Sequence, residues 1–230
     1  MRSVIQTRGL TKRYGRRAAL IDLDLDVPPN VVFGYLGPNG AGKTTTIRLL
    51  AGLLRPSRGY AEVFGLDTIR ERELAQRHIG YLPGEYVAYP NLTAAQYLAY
   101  LARLRGGVDA RVIHNLAQRL DLDLKGRIGA MSHGTRQKVG LVQAFMHRPD
   151  LLILDEPTNG LDPLMQREFQ ALIREARDAG RTVFLSSHLL YEVEAVADIV
   201  AILRAGHLVV VQPVDKLKAQ ALRRIELTFD

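Results

Sequence analysis

The chain has 230 residues, of which 47% are hydrophobic, so it can bury a sizeable core as one domain or as one domain with a lobed insertion. It has no cysteine, which excludes disulfides, thiolate zinc sites and cysteine nucleophiles, and no run approaches the roughly 18 apolar residues of a spanning helix. The formal charge of +7 would suit nucleic acid, an anionic membrane surface or a polyanionic ligand, but the basic residues are scattered, as on an ordinary solvated surface. The start of the chain lacks the apolar core of a secretory signal, so we expect a soluble chain that is not exported.

The first third of the sequence predicts strands, a loop and a helix. Residues 4–7 and 21–27 have the pattern of short strands, and the second alternates apolar and acidic residues, which favours an antiparallel opening. The apolar run 31–36 is too short for a typical helix and leads through a glycine-rich turn into the helical segment 43–50. Another strand is predicted at 79–82.

The middle of the chain carries only helical patterns up to residue 151. Thr93 and Gln96 have the spacing of a capping box at the start of one helix, and a second helix is predicted at 109–120. Buried parallel strands are then predicted, separated by amphipathic segments, at 151–154, 182–185 and 199–203. We therefore expect one α/β domain over residues 1–230, with a helical subdomain inserted at about 85–148.

The end of the chain is harder to interpret. The tail at about 212–230 is ambiguous, although its last residues, 224–230, alternate as a strand would. An end this abrupt would fit a longer natural chain that has been cut, and the sequence leaves open whether the chain continues past Asp230.

The glycine-rich turn matches the P-loop pattern G-x-x-x-x-G-K-[ST], in the strand-to-helix context that the pattern requires. Its glycines let backbone N–H groups converge on phosphate oxygens, and the helix N-terminus adds its positive dipole end. The lysine would reach the β- and γ-phosphates of ATP, and the first threonine would bind Mg²⁺. The predicted phosphate-binding residues are Gly37, Pro38, Asn39, Gly40, Ala41, Gly42, Lys43, Thr44 and Thr45.

Two acidic residues and a histidine follow later strands and indicate which reaction the P-loop serves. A P-loop alone fits kinases, GTPases, helicases and transport motors alike. Asp155 is predicted to hold Mg²⁺, usually through water, and Glu156 to accept a proton from the attacking water. His188 should reach the same crevice, at the carboxyl ends of parallel strands, and contact the γ-phosphate.

With these residues in order, the whole chain resembles the nucleotide-binding domain of an ABC ATPase. Tyr14 is similar to the aromatic residue of that family that stacks on adenine, a contact worth about 1 kcal/mol. The D-loop of the family is matched by residues 159–162, with Asp162 predicted to bind nucleotide. Its signature segment is matched by residues 131–135, with Ser132, His133 and Gly134 as the predicted contacts. The resemblance implies a P-loop NTPase fold: a RecA-like parallel sheet core, an N-terminal antiparallel β subdomain and the inserted α-helical subdomain.

Two departures from the family pattern bear on the second half of the site. The signature segment has Met131, His133 and Thr135 where leucine, glycine and glutamine are usual. The helix expected at 134–146 would still point its N-terminus at a phosphate. The family has a glutamine, in its Q-loop, that contacts Mg²⁺, and this chain has Gly84 at that position. Either Glu85 substitutes for the glutamine or water completes the metal shell.

The resemblance implies that the chain is the MgATP-hydrolysing subunit of an ABC transporter, most like bacterial exporters of drugs, antibiotics or lipids. It implies a head-to-tail dimer of two such subunits, with a homodimer expected, and a separate integral-membrane permease subunit as partner. The chain would then be cytoplasmic and peripheral on the inner face of the bacterial membrane. The alternatives are an ABC ATPase acting on nucleic acid or ribosomes and a nucleotide-sensing regulator. We expect no nucleic-acid partner, because the chain lacks the coiled coil, zinc cysteines and tandem cassettes of such relatives.

Overall fold

A computed structural model describes residues 3–221 of the chain. An antiparallel sheet of four strands opens the structure, in the order β2-β1-β4-β5. Its strands are β1 (Ile5–Tyr14), β2 (Arg17–Val27), β4 (Arg58–Val63) and β5 (Leu66–Asp67). The predicted antiparallel opening is therefore confirmed, although both of its strands run further than the pattern indicated.

A second sheet of six strands forms the centre of the molecule, in the order β10-β9-β3-β8-β7-β6. Its strands are β3 (Val32–Leu36), β6 (Ile79–Leu82), β7 (Leu151–Asp155), β8 (Thr182–Ser187), β9 (Ile199–Arg204) and β10 (His207–Pro213). Strands β6, β7, β8, β3 and β9 are parallel, as predicted, and β10 pairs antiparallel with β9.

Helices surround this sheet. In chain order they are α1 (Lys43–Leu50), α2 (Arg72–Arg77), α3 (Ala94–Leu104), α4 (Ala110–Arg119), α5 (His133–Phe145), α6 (Pro163–Asp178), α7 (Leu190–Glu194) and α8 (Val214–Ala221). Between β6 and β7 the chain forms α3, α4, a 3₁₀ turn at Ile128–Ala130 and α5, in the stretch where the sequence predicts the inserted subdomain. The capping box at Thr93 and Gln96 is present. Across residues 3–221, no helix combines the length and apolarity needed to cross a membrane.

The core lies on both faces of the central sheet, because alternate residues of each buried strand point to opposite sides. On β7, Leu151 and Ile153 pack into the cluster shared with α1 and the antiparallel sheet. Leu152 and Leu154 pack on the other side, with α3 to α6. All four side chains are fully buried, so β7 is held between two layers and its carboxyl end is fixed relative to α1.

Several elements were not predicted from the sequence: β4, β5, α2, β10 and α8. The amphipathic segment at 189–197, which separates the strands predicted at 182–185 and 199–203, is helical only at Leu190–Glu194. Residues 212 and 213 complete β10 and residues 214–221 form α8. The strand pattern seen at 224–230 lies outside the described residues.

Candidate functional site

The P-loop joins β3 to α1, and its glycines allow the backbone to turn tightly. Gly42 is the N-cap of α1, with φ at 111°, a left-handed conformation that favours glycine. No side chain caps this helix, so its first N–H groups are free to face an anion. Gly37 lies so close to β9 that a Cβ there would stand 2.5 Å from the Leu203 carbonyl oxygen. The loop therefore has the form of a backbone anion cradle where the sequence predicted one.

Lys43 lies across this cradle. Its Nζ donates hydrogen bonds to the carbonyl oxygens of Gly37 at 2.6 Å and Pro38 at 3.3 Å. It also forms an ion pair with Glu156 Oε1 at 3.2 Å. Because the lysine side chain is only 6% exposed, its charge acts in a poorly solvated environment and interacts strongly with nearby anions. The next residue, Thr44, is exposed on the first turn of α1.

Asp155 ends β7 and is completely buried. Its Oδ1 accepts a hydrogen bond of 2.5 Å from the Ser186 hydroxyl, which in turn accepts one of 3.1 Å from the backbone N–H of Glu156. Asp155 Oδ2 is buried and has no hydrogen-bond partner in the structure. Burial, with the negative charge of Asp155 as a further cause, raises the pKa of the nearby Tyr81.

Gly84 lies directly against the second carboxylate oxygen of Asp155. A Cβ at this position would stand 3.1 Å from Oδ2, which is tighter than ordinary van der Waals contact. The side chain of Glu85, the alternative candidate, is exposed. The close approach to Asp155 is therefore made by the backbone at residue 84.

Glu156 stands between the lysine and the predicted histidine. Its φ of 47° is left-handed, which is uncommon for a non-glycine residue. Its Oε2 lies 2.8 Å from His188 Nδ1, while Oε1 faces Lys43. The structure thus brings together the P-loop lysine, the acidic pair and the histidine, as the sequence predicted.

Tyr14 lies at the end of the hairpin formed by β1 and β2, where it pairs with Arg17. It is 48% exposed, and the Lys12 Nζ lies 5.4 Å from the centre of its ring. The same hairpin touches the P-loop, since a Cβ at Gly42 would stand 2.4 Å from the Ala19 carbonyl oxygen. The ring is therefore an exposed aromatic surface on the hairpin that contacts the P-loop.

The signature-like segment begins α5. Ser132 is the N-cap of this helix and accepts a hydrogen bond of 3.1 Å from the backbone N–H of Thr135. Its neighbour His133 is exposed, and Gly134 packs on Gly160, where an added Cβ would come within 2.1 Å of the carbonyl oxygen. The start of α5 thus lies against the 159–162 loop.

Asp162 has a structural role in this loop. Its carboxylate caps α6 by accepting hydrogen bonds of 3.0 Å from the N–H groups of Leu164 and Met165. Nucleotide binding by Asp162 stays a prediction.

Two residues of the site were not predicted from the sequence. Ser186 holds Asp155 and Glu156 together, as described above. Gln137, fully buried on α5, donates to the carbonyl oxygens of Glu156 at 3.3 Å and Pro157 at 3.2 Å, so it ties the start of α5 to the acidic pair. Hydrophobic periodicity gives no signal for such bonds, because the partners lie 19 or more residues apart in sequence.

Comparison with known proteins agrees with this arrangement. A family model described as "ABC transporter" matches residues 20–159, and one described as "AAA domain, putative AbiEii toxin, Type IV TA system" matches residues 127–194. The bacitracin transport ATP-binding protein BcrA of Bacillus licheniformis is 38% identical over 229 residues, which cover 98% of this chain and 75% of that protein. The daunorubicin/doxorubicin resistance ATP-binding protein DrrA of Streptomyces peucetius is 39% identical over 221 residues, covering 94% and 67%.

A solved structure also resembles this chain. It is described as an ATP-binding subunit of an ABC transporter, is 30% identical and superposes with a TM-score of 0.87, covering 95% of this chain and 93% of that one. The chain therefore belongs to the ABC transporter family, among its ATP-binding subunits.

Proposed function

We propose that the chain binds MgATP at the P-loop and hydrolyses it. The observation that carries this proposal is the position of Glu156, whose two carboxylate oxygens face Lys43 at 3.2 Å and His188 at 2.8 Å. A carboxylate placed there can accept the proton of a water that attacks the γ-phosphate. Lys43 and the N–H groups of the P-loop stabilise the charge that develops, and His188 donates to the phosphate.

The residues present fit a Mg²⁺ ion bound with the nucleotide. The unpartnered, fully buried Oδ2 of Asp155 supplies a hard oxygen, and Thr44 supplies an exposed hydroxyl at the start of α1. Mg²⁺ keeps several waters in such sites and neutralises phosphate charge. Because Glu85 is exposed and Gly84 has no side chain, we favour water over Glu85 as the remaining metal ligand.

Substitution of Glu156 tests the chemical assignment. Glu156→Gln should bind ATP with near-normal affinity and hydrolyse it about 10² to 10⁴ times more slowly, since a general base contributes that much. Glu85→Ala is the matched control and should keep both the rate and the Mg²⁺ dependence of the wild type. Near-normal turnover in Glu156→Gln would refute the role of Glu156, and a shifted Mg²⁺ dependence in Glu85→Ala would identify Glu85 as a ligand.

We also propose that two copies close over two ATP molecules, head to tail. The exposed N-terminus of α5, with Ser132 as its cap, offers N–H groups to a phosphate held by the P-loop of the other copy. The exposed residues Pro38, Asn39 and Gly40 leave the opposite face of the cradle accessible. Gel filtration of Glu156→Gln should show a dimer with ATP and a monomer with ADP. A monomer under both conditions would contradict the proposal.

The transport role proposed here requires a membrane-spanning partner. A groove of about 1,110 Å³ lies between α2, β6 and the α3–α4 connection, and its lining mixes apolar side chains with charged ones, including Arg77, Leu104 and Arg105. We propose that a cytoplasmic segment of a permease subunit docks there, so that the chain works on the inner face of the cell membrane. The names of BcrA and DrrA favour export of a drug or antibiotic.

The absence of cysteine makes this docking directly testable. Leu104→Cys, 67% exposed in the groove, should cross-link to the product of an adjacent reading frame that encodes about six spanning helices. Val209→Cys, 61% exposed on β10, is the matched control and should not cross-link. Equal cross-linking from both positions would contradict docking in the groove. No specific observation in the site favours nucleic acid as the partner, and a salt-dependent gel shift would test that alternative.

A further inference from the structure

A carboxylate outside the predicted site bridges the two strand ends that carry its catalytic groups. Glu192, on α7, accepts a hydrogen bond of 2.7 Å from the Thr158 hydroxyl at Oε1 and one of 2.5 Å from the Ser187 hydroxyl at Oε2. Thr158 and Ser187 are 8% and 1% exposed and Glu192 is partly exposed, so both bonds are partly buried. Hydrogen bonds to a charged acceptor are shorter and stronger than neutral ones.

The two hydroxyls that donate to Glu192 belong to residues close in sequence to a catalytic side chain, and each restrains the backbone there. Ser187 directly precedes His188, and its Oγ also accepts a hydrogen bond of 3.0 Å from the N–H of Leu189, so the residue between them is held on both sides. Thr158 belongs to the turn that follows Glu156 and is closed by a 3.2 Å bond from the Asn159 N–H to the Glu156 carbonyl oxygen.

The contacts form a closed circuit. It runs from Glu156 through the turn to Thr158, across Glu192 to Ser187, and then through His188 back to the Glu156 carboxylate at 2.8 Å. The circuit therefore restrains the backbone of Glu156, whose left-handed φ of 47° is uncommon for a non-glycine residue.

The anchor of the bridge is itself rigid. The residue after Glu192, Val193, is fully buried against β3, where a Cβ added at Gly34 would lie 2.2 Å from its Cγ1. Only glycine at this position lets α7 approach the sheet so closely. The position of Glu192 is therefore set by the packing of α7 on the strand that leads into the P-loop.

We propose that Glu192 is a positioning residue for hydrolysis, which sets the distance between His188 and Glu156 without contacting nucleotide. This inference rests on the proposed function, because it presumes that these two side chains act on the γ-phosphate. A residue with this role changes the rate of the chemical step more than the binding of ATP. A residue that merely stabilises the fold would not move the His188 ring while the protein stays folded.

The test compares Glu192→Ala with Glu192→Gln, and with Glu194→Ala on the same short helix as control. Glu192→Ala should lower kcat by about tenfold or more, while the Kd for MgATP stays within about twofold. Glu192→Gln should recover most of the rate, because its amide can accept from Ser187 and donate to the Thr158 hydroxyl. Glu194→Ala should match the wild type. A rate in Glu192→Ala equal to that of Glu194→Ala overturns the proposal.

A second readout does not depend on ATPase activity. The ring resonance of His188, assigned by its loss in His188→Gln, should move in Glu192→Ala toward its position in Glu156→Gln. An unmoved resonance in folded Glu192→Ala overturns the inference even if the wild type hydrolyses ATP. If the wild type does not hydrolyse ATP, the proposed function fails, and the resonance still decides whether Glu192 positions the histidine.

Variants at the two ends of the bridge guard against misfolding of Glu192→Ala. Ser187→Ala and Thr158→Val each remove one hydroxyl, and each should shift the His188 resonance in the same direction. If both variants keep the wild-type resonance, the proposal is wrong.

Discussion

Ser186→Ala is the substitution whose cost can be worked out most fully from the structure. The Ser186 hydroxyl is completely buried; it donates to the Asp155 carboxylate at 2.5 Å and accepts from the Glu156 N–H at 3.1 Å. A bond to a charged group contributes about 1.5–3 kcal/mol, and a neutral one about 1 kcal/mol. Because Asp155 Oδ2 has no partner either, the variant leaves the whole carboxylate without a hydrogen bond from the protein. We expect the free energy of unfolding to fall by about 3 kcal/mol.

Urea unfolding and steady-state ATP hydrolysis measure the two consequences. Thr182→Val is the matched control on the same strand β8, since it removes one partly buried neutral hydrogen bond, which the Thr182 hydroxyl accepts from the Asn30 N–H at 3.0 Å. The control should cost about 1 kcal/mol and leave the hydrolysis rate unchanged. Ser186→Ala should also slow hydrolysis, by about tenfold or more, because it releases Asp155 and the backbone of Glu156. A cost no larger than that of Thr182→Val, with an unchanged rate, would refute this reasoning.

Three further substitutions test other parts of the structure. Gly134→Ala should slow ATP hydrolysis, because its Cβ would meet the Gly160 carbonyl oxygen at 2.1 Å and push the loop away; an unchanged rate would contradict this packing. Tyr14→Ala should weaken ATP binding about fivefold, as measured by fluorescence titration, whereas Tyr14→Phe should keep the affinity. Burial lowers the pKa of His147 below 6.5, and the positive charge of Arg105 is a second cause. The unfolded chain therefore takes up the proton more readily, and the stability that His147 contributes above pH 6.5 is lost as the pH falls. His147→Gln, which keeps a donor for the Ile79 carbonyl oxygen, should show a smaller loss of unfolding free energy between about pH 7 and pH 5; an equal loss would refute the assignment.

The parts of the fold that were predictable combine a strong local signal with burial. Strand β6 was predicted with its observed bounds, because four residues between clear boundaries pack into the core. The P-loop and α1 were predicted because glycine is required where the backbone turns left-handed. Thr93 and Gln96 interact within one helical turn, so their reciprocal bonds follow from spacing alone.

Of the missed strands, β4 owes its structure to a distant partner, whereas β10 pairs with the strand next to it in sequence but has a weak pattern. The first three residues of β4 are exposed, and the strand exists because it pairs with β1 over more than 40 positions of sequence. β10 is an edge strand whose side chains are at most partly buried, so its pattern is weak. A sequence signal for β10 was present in the dipeptide Ala205-Gly206. In the structure these residues form the two-residue turn of a hairpin, with positive φ values of 48° and 81°.

The residues of the site also divide into those that the sequence predicts and those that it does not. Lys43, Asp155, Glu156 and His188 follow from motifs at strand ends, because parallel strands bring their carboxyl ends to one edge. Their support could not be predicted, since Ser186 and Gln137 act through single bonds that link separate elements. The sequence also could not decide between Glu85 and water at the metal, because that choice depends on how closely the backbone approaches Asp155.

The central claim is that this chain hydrolyses MgATP at its own P-loop, and phosphate release from ATP tests it most directly. The rate should be measured for the wild type and for Lys43→Met, which keeps the length of the buried side chain and removes the charge beside Glu156. We predict Mg²⁺-dependent release by the wild type and a rate at least about 100-fold lower in Lys43→Met. Equal rates in the two proteins, or no release by the folded wild type with Mg²⁺ present, would contradict the account.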